Sequence, residues 1–192
     1  MRLRILDSGH GFATKALFAL IRTVSRQPVL DVIKLAKYRS DFYGGPMQAV
    51  TQEAMRGPSA WSVGDRELMA AFVAKTNQCE FCTKAHSTVA QRAYGDGRKV
   101  SALSDLNPAA IEEPLRATLL MLGKLMREHT LDADDIRAVL AAGASRQQIE
   151  DALAVCFSFS VITRLSDAFG FFVPGPDAFQ AGAKYLLARG YR

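Results

Sequence analysis

Four residues whose side chains can do redox, acid–base or metal chemistry lie within twenty positions of one another: Glu67, Cys79, Cys82 and His86. If the segment from residue 79 onward is helical, both thiols and the imidazole share an arc of about 60°, because successive residues turn by about 100°. A pair of thiols that faces a titratable base is typical of redox catalysis or of a metal site.

The spacing of the two cysteines permits a disulfide, since sulfurs at positions i and i+3 at the start of a helix can meet. A thiolate there is stabilised by unpaired backbone N–H groups and by the positive end of the helix dipole. His86, one turn after Cys82, is placed to take its proton or to form an ion pair with it. We therefore predict an activated dithiol with Cys82 as the nucleophile. Cys79, which is nearer the helix N-terminus, is the alternative.

Other interpretations of these residues remain open. Zinc could bind Cys79, Cys82 and His86 with Glu67 as a fourth ligand, although structural zinc sites more often draw two ligands from each of two separated knuckles. The cysteines could also be small buried hydrophobes, but a purely structural pair does not need a histidine four residues later. Covalent haem attachment is excluded because Thr83, rather than histidine, follows the second cysteine.

The composition predicts one soluble globular unit. The chain has 192 residues, of which 49% are hydrophobic, and this is enough for a substantial core. No apolar run approaches ~18 residues, so no membrane-spanning helix is expected, and no signal peptide is recognised. Three cysteines, an odd number, favour the cytoplasm over a secreted disulfide framework. The net charge of +5 is scattered along the chain, which argues against a nucleic-acid partner.

The apolar residues recur every three or four positions without strand-like alternation, and this predicts an all-α fold. Cys156, His10, His129 and Trp61 have no chemical partner nearby in the sequence and are predicted to be structural. Apart from the helices next to the thiols, the predicted helices are residues 12–25, 29–38, 46–56, a short piece from 107, 114–126, 132–143, 145–169 and 177–189, with 145–169 as the central helix.

The thiols are predicted to lie at the N-terminus of a helix. Asn77-Gln78 breaks the chain between a helix that ends at about residue 76 and another that covers about 79–94. Asp65 is predicted to cap the earlier helix, with Glu67 in its first turn. A helix N-terminus is where a cysteine most readily becomes a thiolate.

The four residues also resemble a known signature. Glu67, eleven intervening residues, Cys79-x-x-Cys82, three more residues and His86 are similar to the motif of the alkylhydroperoxidase D-like branch of the carboxymuconolactone decarboxylase superfamily. The resemblance implies that Cys79 and Cys82 are the redox pair, that His86 is a base and that Glu67 is the carboxylate of a proton relay. True lactone decarboxylases of the superfamily lack the cysteine pair, which counts against decarboxylation.

The resemblance also has implications for architecture and partners. It implies an orthogonal helical bundle over residues 58–192, preceded by an N-terminal helical extension over 1–57 like that of longer, peroxidase-related members. It implies a homo-oligomer, commonly a trimer or hexamer, with the thiols in a cleft near a subunit interface. No bound cofactor is expected. The reductant is expected to be an external dithiol on a lipoylated carrier or a thioredoxin-like protein.

The function implied is reduction of hydroperoxides, or reduction of a partner peroxiredoxin through the lipoylated carrier. One position departs from the family pattern, because Phe81 stands where the best-known members have a second histidine. A phenyl ring cannot transfer protons, so a relay through that position is not available here. The alternatives are a redox sensor or binding module whose dithiol regulates association, and a zinc-binding or non-redox member of the superfamily.

Overall fold

The structure is a computed structural model, and it describes residues 1–191. Over that range it contains helices and turns but no strand, which confirms the predicted all-α class. Single turns of π-helix and 3₁₀-helix occur at Ser40–Gly44 and Ala102–Ser104. The α-helices are α1 (Ile5–Ser8), α2 (Phe12–Ser25), α3 (Asp31–Tyr38), α4 (Gly45–Arg56), α5 (Val63–Thr76), α6 (Glu80–Tyr94), α7 (Arg98–Ser101), α8 (Glu113–Glu128), α9 (Ala133–Ala141), α10 (Arg146–Phe169) and α11 (Pro176–Arg189).

Three helices begin at a capping box, in which the side chains of the cap and of the third helical residue bond to each other's backbone N–H group. As predicted, Asp132 caps α9 and Ser145 caps α10. The predicted cap of α5 was wrong. Ser62 is the cap, and Asp65 is its partner at the third position. Because α5 begins earlier than predicted, Glu67 lies in its second turn.

A second difference concerns the segment between α7 and α8. The short helix predicted to start at Asn107-Pro108 is a turn. The Asn107 side-chain oxygen accepts a hydrogen bond from the backbone N–H of Ala109 at 2.9 Å. Such a local bond competes with helix formation, because it offers the backbone a different partner.

The main core surrounds α5. Residues 68–74 of this helix are all buried, since α4, α6, α8 and α10 pack around it. The prediction that residues 145–169 form the most central helix was therefore wrong. α10 buries one face and leaves Phe157 of another face exposed. Trp61 and Cys156 belong to this core, as predicted.

α10 is also the one helix within residues 1–191 that is long and apolar enough to cross a membrane, with a mean hydropathy of 1.4 over an 18-residue window. The expectation that no helix spans a membrane stays a prediction, because this criterion concerns length and composition only. The evidence for a membrane span is weak, because a core helix of a soluble protein has the same length and composition. α10 packs against α4, α5 and α8 and is part of the folded core.

A second, smaller apolar cluster covers the cysteines. It combines the start of α6 with residues from the N-terminal helices and from the segment between α10 and α11. Its buried members are Leu6, Leu35, Ala74, Cys79, Phe81, Cys82, Phe171 and Phe179. The predicted N-terminal extension, residues 1–57, therefore contributes Leu6 of α1 and Leu35 of α3 to the cluster that contains the thiols. The division of the chain at residue 57 stays a prediction.

Candidate active site

The turn between α5 and α6 fixes the position of the first cysteine. Gln78 adopts the left-handed conformation with φ 61°, which reverses the chain after α5. The Asn77 side chain donates a hydrogen bond to the Thr163 hydroxyl of α10 at 2.9 Å. The backbone N–H of Cys79 donates to the Ala74 carbonyl at 2.9 Å. These bonds tie the turn to both neighbouring helices, and the predicted break at Asn77-Gln78 is confirmed.

Cys79 is the N-cap residue of α6, and Cys82 lies in the first turn of that helix. The thiols are free and are 0% and 1% exposed respectively. The two thiols are close enough to shift each other's pKa, and the Ser166 hydroxyl of α10 lowers the pKa of both. The pair is therefore enclosed between the start of α6 and the last turns of α10.

The two thiols differ in acidity. Hydrogen bonding from the Cys82 thiol, which outweighs burial, holds the pKa of Cys79 below its usual range, and bonds from Ser166 and from the Cys82 backbone N–H add to this effect. The hydrogen bond to Cys79, together with burial, raises the pKa of Cys82 well above its usual range. When the pair carries one negative charge, that charge is favoured on Cys79, the alternative nucleophile of the sequence analysis.

Glu67 and His86 form a second group, in which α5 faces α6. Glu67 is 0% exposed, and its Oε2 lies 2.7 Å from Nδ1 of His86. Burial opposes the charge of Glu67, but hydrogen bonds from His86 and Arg56 outweigh it and hold the pKa of this carboxyl below its usual range. An ionised carboxylate accepts a hydrogen bond from the N–H group at Nδ1 of the imidazole. The proton therefore stays on Nδ1, and Nε2 is the ring nitrogen that can exchange protons. The edge of the imidazole packs on Phe159, with ring centroids 4.4 Å apart.

Two further residues bind the other oxygen of Glu67. Nη2 of Arg56, the last residue of α4, donates to Oε1 at 2.6 Å. The Tyr191 hydroxyl donates to the same oxygen at 2.9 Å and lies 3.4 Å from Nδ1 of His86. The Arg56 guanidinium also stacks over the Tyr191 ring at 5.1 Å. The buried carboxylate thus has three hydrogen-bond donors around it.

The four predicted site residues are therefore divided between two neighbouring groups on the same pair of helices. The structure brings Glu67 to His86 and Cys79 to Cys82. In the part of the chain that the structure describes, no three His, Cys, Asp or Glu side chains are arranged to hold a metal ion. The arrangement is that of a dithiol with a carboxylate–imidazole pair one turn further along α6.

Aromatic rings pack against one another in the apolar cluster that contains the thiols. Phe81, the residue that departs from the family pattern, contacts the rings of Phe171 and Phe179 at centroid distances of 5.6 and 5.8 Å. Burial, with a contribution from the nearby Cys82, raises the pKa of Tyr43 to about 12, so this phenol stays protonated. Phe81 is thus part of the buried apolar cluster that contains the thiols.

The comparisons with known proteins concern the fold. No protein-family model matches the sequence, and it shows no significant similarity to a curated protein. Among solved structures, an uncharacterized peroxidase-related protein from Silicibacter sp. TM1040 is 20% identical over 91% of both chains, with a TM-score of 0.76. An uncharacterized peroxidase-related protein from Ralstonia eutropha JMP134, described as an alkylhydroperoxidase AhpD core, is 18% identical over 92% of both chains, with a TM-score of 0.73. The chain has the alkylhydroperoxidase D-like fold.

Within this alkylhydroperoxidase D-like fold, sequence reasoning missed three residues that bind the site: Arg56, Ser166 and Tyr191. Arg56 was expected only as the end of a helix, and Ser166 was not distinguished from other residues of a long apolar helix. Tyr191 contacts a residue 124 positions away in the sequence. No local pattern marks such partners. The one available signal was Glu67 itself: a carboxylate needs hydrogen-bond donors when it is buried, and Arg56 and Tyr191 are two of those donors.

Proposed function

We propose that this protein is a thiol–disulfide oxidoreductase that reduces hydroperoxides, or a partner's disulfide, through Cys79 and Cys82. The observation that carries the proposal is the pair of free thiols at the N-terminus of α6, with Cys79 at the N-cap and Cys82 in the first turn, on the same helix as the buried His86 that bonds to Glu67. The likeness to peroxidase-related structures supports the same reaction class.

The proposed reaction has two oxidative steps. The Cys79 thiolate attacks the outer oxygen of a hydroperoxide, the O–O bond breaks, and Cys79 becomes a sulfenic acid while the leaving alkoxide takes a proton and departs as an alcohol. The Cys82 thiol then attacks the sulfenic sulfur, water leaves, and a disulfide forms. Cys82 is the resolving cysteine: once Cys79 is a neutral sulfenic acid, the negative charge that raised the pKa of Cys82 is gone, so Cys82 can lose its proton and attack as the thiolate.

The carboxylate–imidazole pair supplies proton transfer. Glu67 holds the Nδ1 proton of His86, so Nε2 can accept a proton when Cys79 ionises and return it to the leaving alkoxide. This role differs from the sequence-based interpretation, in which His86 kept Cys82 as the thiolate. The contacts of His86 are with Glu67, Phe159 and Tyr191, and the acidification of Cys79 comes from Cys82 and Ser166.

An external dithiol completes the cycle, because the disulfide must be reduced before another turnover. A thiolate of that dithiol attacks one sulfur of the pair, and its second thiol then closes the donor's own disulfide. The lipoylated carrier and the thioredoxin-like donor remain the two predicted sources. The homo-oligomer and the cytoplasmic location also stay predictions.

The burial of the thiols favours a redox sensor as the second candidate. Both cysteines belong to the same buried apolar cluster as Leu6 and Leu35 of the N-terminal helices and Phe171. Closing a disulfide there strains the packing of this cluster, so oxidation could be transmitted to the surface as a displacement of the N-terminal helices. A sensor of this kind reacts with peroxide once and turns over slowly with a dithiol.

A steady-state assay separates the two candidates. Peroxide consumption is followed with dihydrolipoamide and, separately, with reduced thioredoxin as electron donor, and size-exclusion chromatography compares reduced and oxidised protein. An oxidoreductase turns over many times with at least one donor, and Cys79→Ser and Cys82→Ser abolish turnover. A large change in association with little turnover favours the sensor. Failure of peroxide to oxidise either thiol contradicts both.

A further inference from the structure

Tyr191 reaches the buried Glu67–His86 pair from beyond the end of α11. Gly190 makes the bend with φ 70°, and a Cβ there would lie 2.5 Å from the Gln52 side-chain oxygen. The same Gln52 oxygen accepts a hydrogen bond from the backbone N–H of Tyr191 at 2.7 Å. The bend and this bond direct the Tyr191 ring inward over α4 and α6, where it lies nearly parallel to the imidazole of His86, at 14°.

The hydrogen bonds around Glu67 are divided between its two oxygens. Oε1 accepts from Arg56 and from the Tyr191 hydroxyl, at 2.6 and 2.9 Å. Among the described residues, Oε2 has one hydrogen-bond partner, Nδ1 of His86, at 2.7 Å. Burial and the nearby Glu67 raise the pKa of Tyr191 well above its usual value, so the phenol keeps its proton and acts as a donor.

We propose that Tyr191 is a positioning residue of this site: its hydroxyl holds the Glu67 carboxylate in the rotation that directs Oε2 to Nδ1 of His86 and leaves Nε2 free to exchange protons. Without the hydroxyl, Arg56 alone holds Oε1, and the carboxylate can turn away from the imidazole. The inference rests on the proposed function for its effect on rate, but the imidazole tautomer it specifies does not depend on the substrate.

The charged groups that act on Glu67 lie on α4, α5 and α6. Arg56 lies on α4, Arg66 is its neighbour on α5, and His86 lies on α6. α10 contributes the apolar Phe159 to the same side of His86. Both arginines favour the ionised carboxylate, and the phenol adds to them without adding charge.

Two variants separate the hydroxyl from the ring. Tyr191→Phe removes only the hydroxyl and keeps the ring that stacks on Arg56 and His86, whereas Tyr191→Leu removes both. Tyr38→Phe serves as the matched control, because its ring packs on His10 outside the site. Two readouts are used: the rate of peroxide-driven disulfide formation as a function of pH, and the tautomer of His86 from ¹⁵N chemical shifts of the imidazole nitrogens.

We expect Tyr191→Phe to lower the rate of disulfide formation at neutral pH roughly tenfold, as for loss of one hydrogen bond to a charged group. The acidic limb of its pH profile moves to higher pH, because a carboxylate with one donor fewer ionises less readily. The ¹⁵N shifts change from a single Nδ1–H tautomer to a mixture. Tyr38→Phe leaves both readouts unchanged.

The inference is overturned if Tyr191→Phe matches the wild type in rate, pH profile and tautomer while Tyr191→Leu alone loses stability, since the ring then has only a packing role. If the wild type forms no disulfide with peroxide, the proposed function fails, and the tautomer readout still decides the role of Tyr191. A pure Nδ1–H tautomer in Tyr191→Phe then contradicts the inference, and a mixture supports it.

Discussion

Replacing Glu67 by glutamine tests the charge at the centre of the site. The substitution keeps the size of the side chain and removes its negative charge. Arg56, Tyr191 and His86 all direct donors at this carboxylate. A glutamine offers one acceptor oxygen and an NH₂ group that only donates. At least one of the three donors therefore faces the NH₂ group of the glutamine and is left buried without a hydrogen-bond acceptor.

The size of the effect follows from the burial of the ion pair. Removing one partner of a buried pair costs about 3–5 kcal/mol, because the other charge is left without compensation. Arg56 is 11% exposed and also donates to the carbonyls of Met55 and Leu186. We therefore expect the lower end, about 3 kcal/mol. For a chain of this size that corresponds to a fall in Tm of about 6–12 °C.

The assay is thermal and urea unfolding of wild type and Glu67→Gln, with Glu53→Gln as the control. Glu53 is an exposed glutamate of α4, and its replacement is expected to change stability by less than about 0.5 kcal/mol. Adding Arg56→Met to Glu67→Gln recovers part of the loss, because the unpaired charge is removed. A Glu67→Gln protein within about 1 kcal/mol of wild type refutes the assignment of Glu67 as a buried anion.

The pH dependence has a defined direction. The pKa of Glu67 in the folded protein lies below its ordinary value of 4.5, so its ionisation stabilises the fold above that pH. The stabilisation is lost as the pH falls through the folded pKa. The difference in unfolding free energy between wild type and Glu67→Gln is therefore constant near neutrality and narrows below about pH 4.5.

Three further substitutions test the thiols and their cover. Cys82→Ala removes the thiol that donates to Cys79, so the pKa of Cys79 rises and its alkylation by iodoacetamide at neutral pH slows, as followed by mass spectrometry. Ser166→Ala acts in the same direction by roughly threefold, because it removes a weaker neutral donor. Leu6→Ala costs about 2–4 kcal/mol and speeds the alkylation of Cys79 in the native protein, because it loosens the buried cluster to which both residues belong.

Each of these variants has a matched control. Ser158→Ala removes another buried hydroxyl of α10 that bonds to the Ala154 carbonyl, and it should not change thiol reactivity. Leu115→Ala removes a similar volume from the main core, so it lowers stability without speeding alkylation. Equal alkylation rates in Ser166→Ala and wild type contradict the role of Ser166. Equal acceleration by both leucine variants indicates general loosening and contradicts a local cover.

Local sequence signals predicted the elements that hold the four motif residues. Asn77-Gln78 marks the end of α5, because no helical pattern crosses it, and the next helix begins where Cys79 caps it. The contact between Glu67 and His86 follows once α5 and α6 pack side by side, and the structure confirms it. These features depend on neighbours in sequence or on one helix pair, and such features are what patterns capture.

The partners that tune the site could not be predicted in the same way. Arg56 meets Glu67 only because α4 ends beside α5, and Tyr191 arrives from the far end of the chain. The acidity of Cys79 depends on Ser166 of α10, which no spacing rule links to α6. Because i, i+4 geometry alone suggested that His86 activates Cys82, the sequence favoured the other thiol. Tertiary packing brings Arg56 and Tyr191 to Glu67, whereas the identity of the nucleophilic cysteine stays a prediction.

The most direct test of the proposed chemistry is the reaction of the reduced protein with one equivalent of hydroperoxide, followed by peptide mapping without reductant. The account predicts an intramolecular Cys79–Cys82 disulfide, and a sulfenic acid trapped by dimedone on Cys79 in the Cys82→Ser variant. A disulfide that returns to two thiols with dihydrolipoamide or thioredoxin completes the cycle. Thiols that remain reduced, or that are found bound to stoichiometric zinc in the purified protein, contradict it.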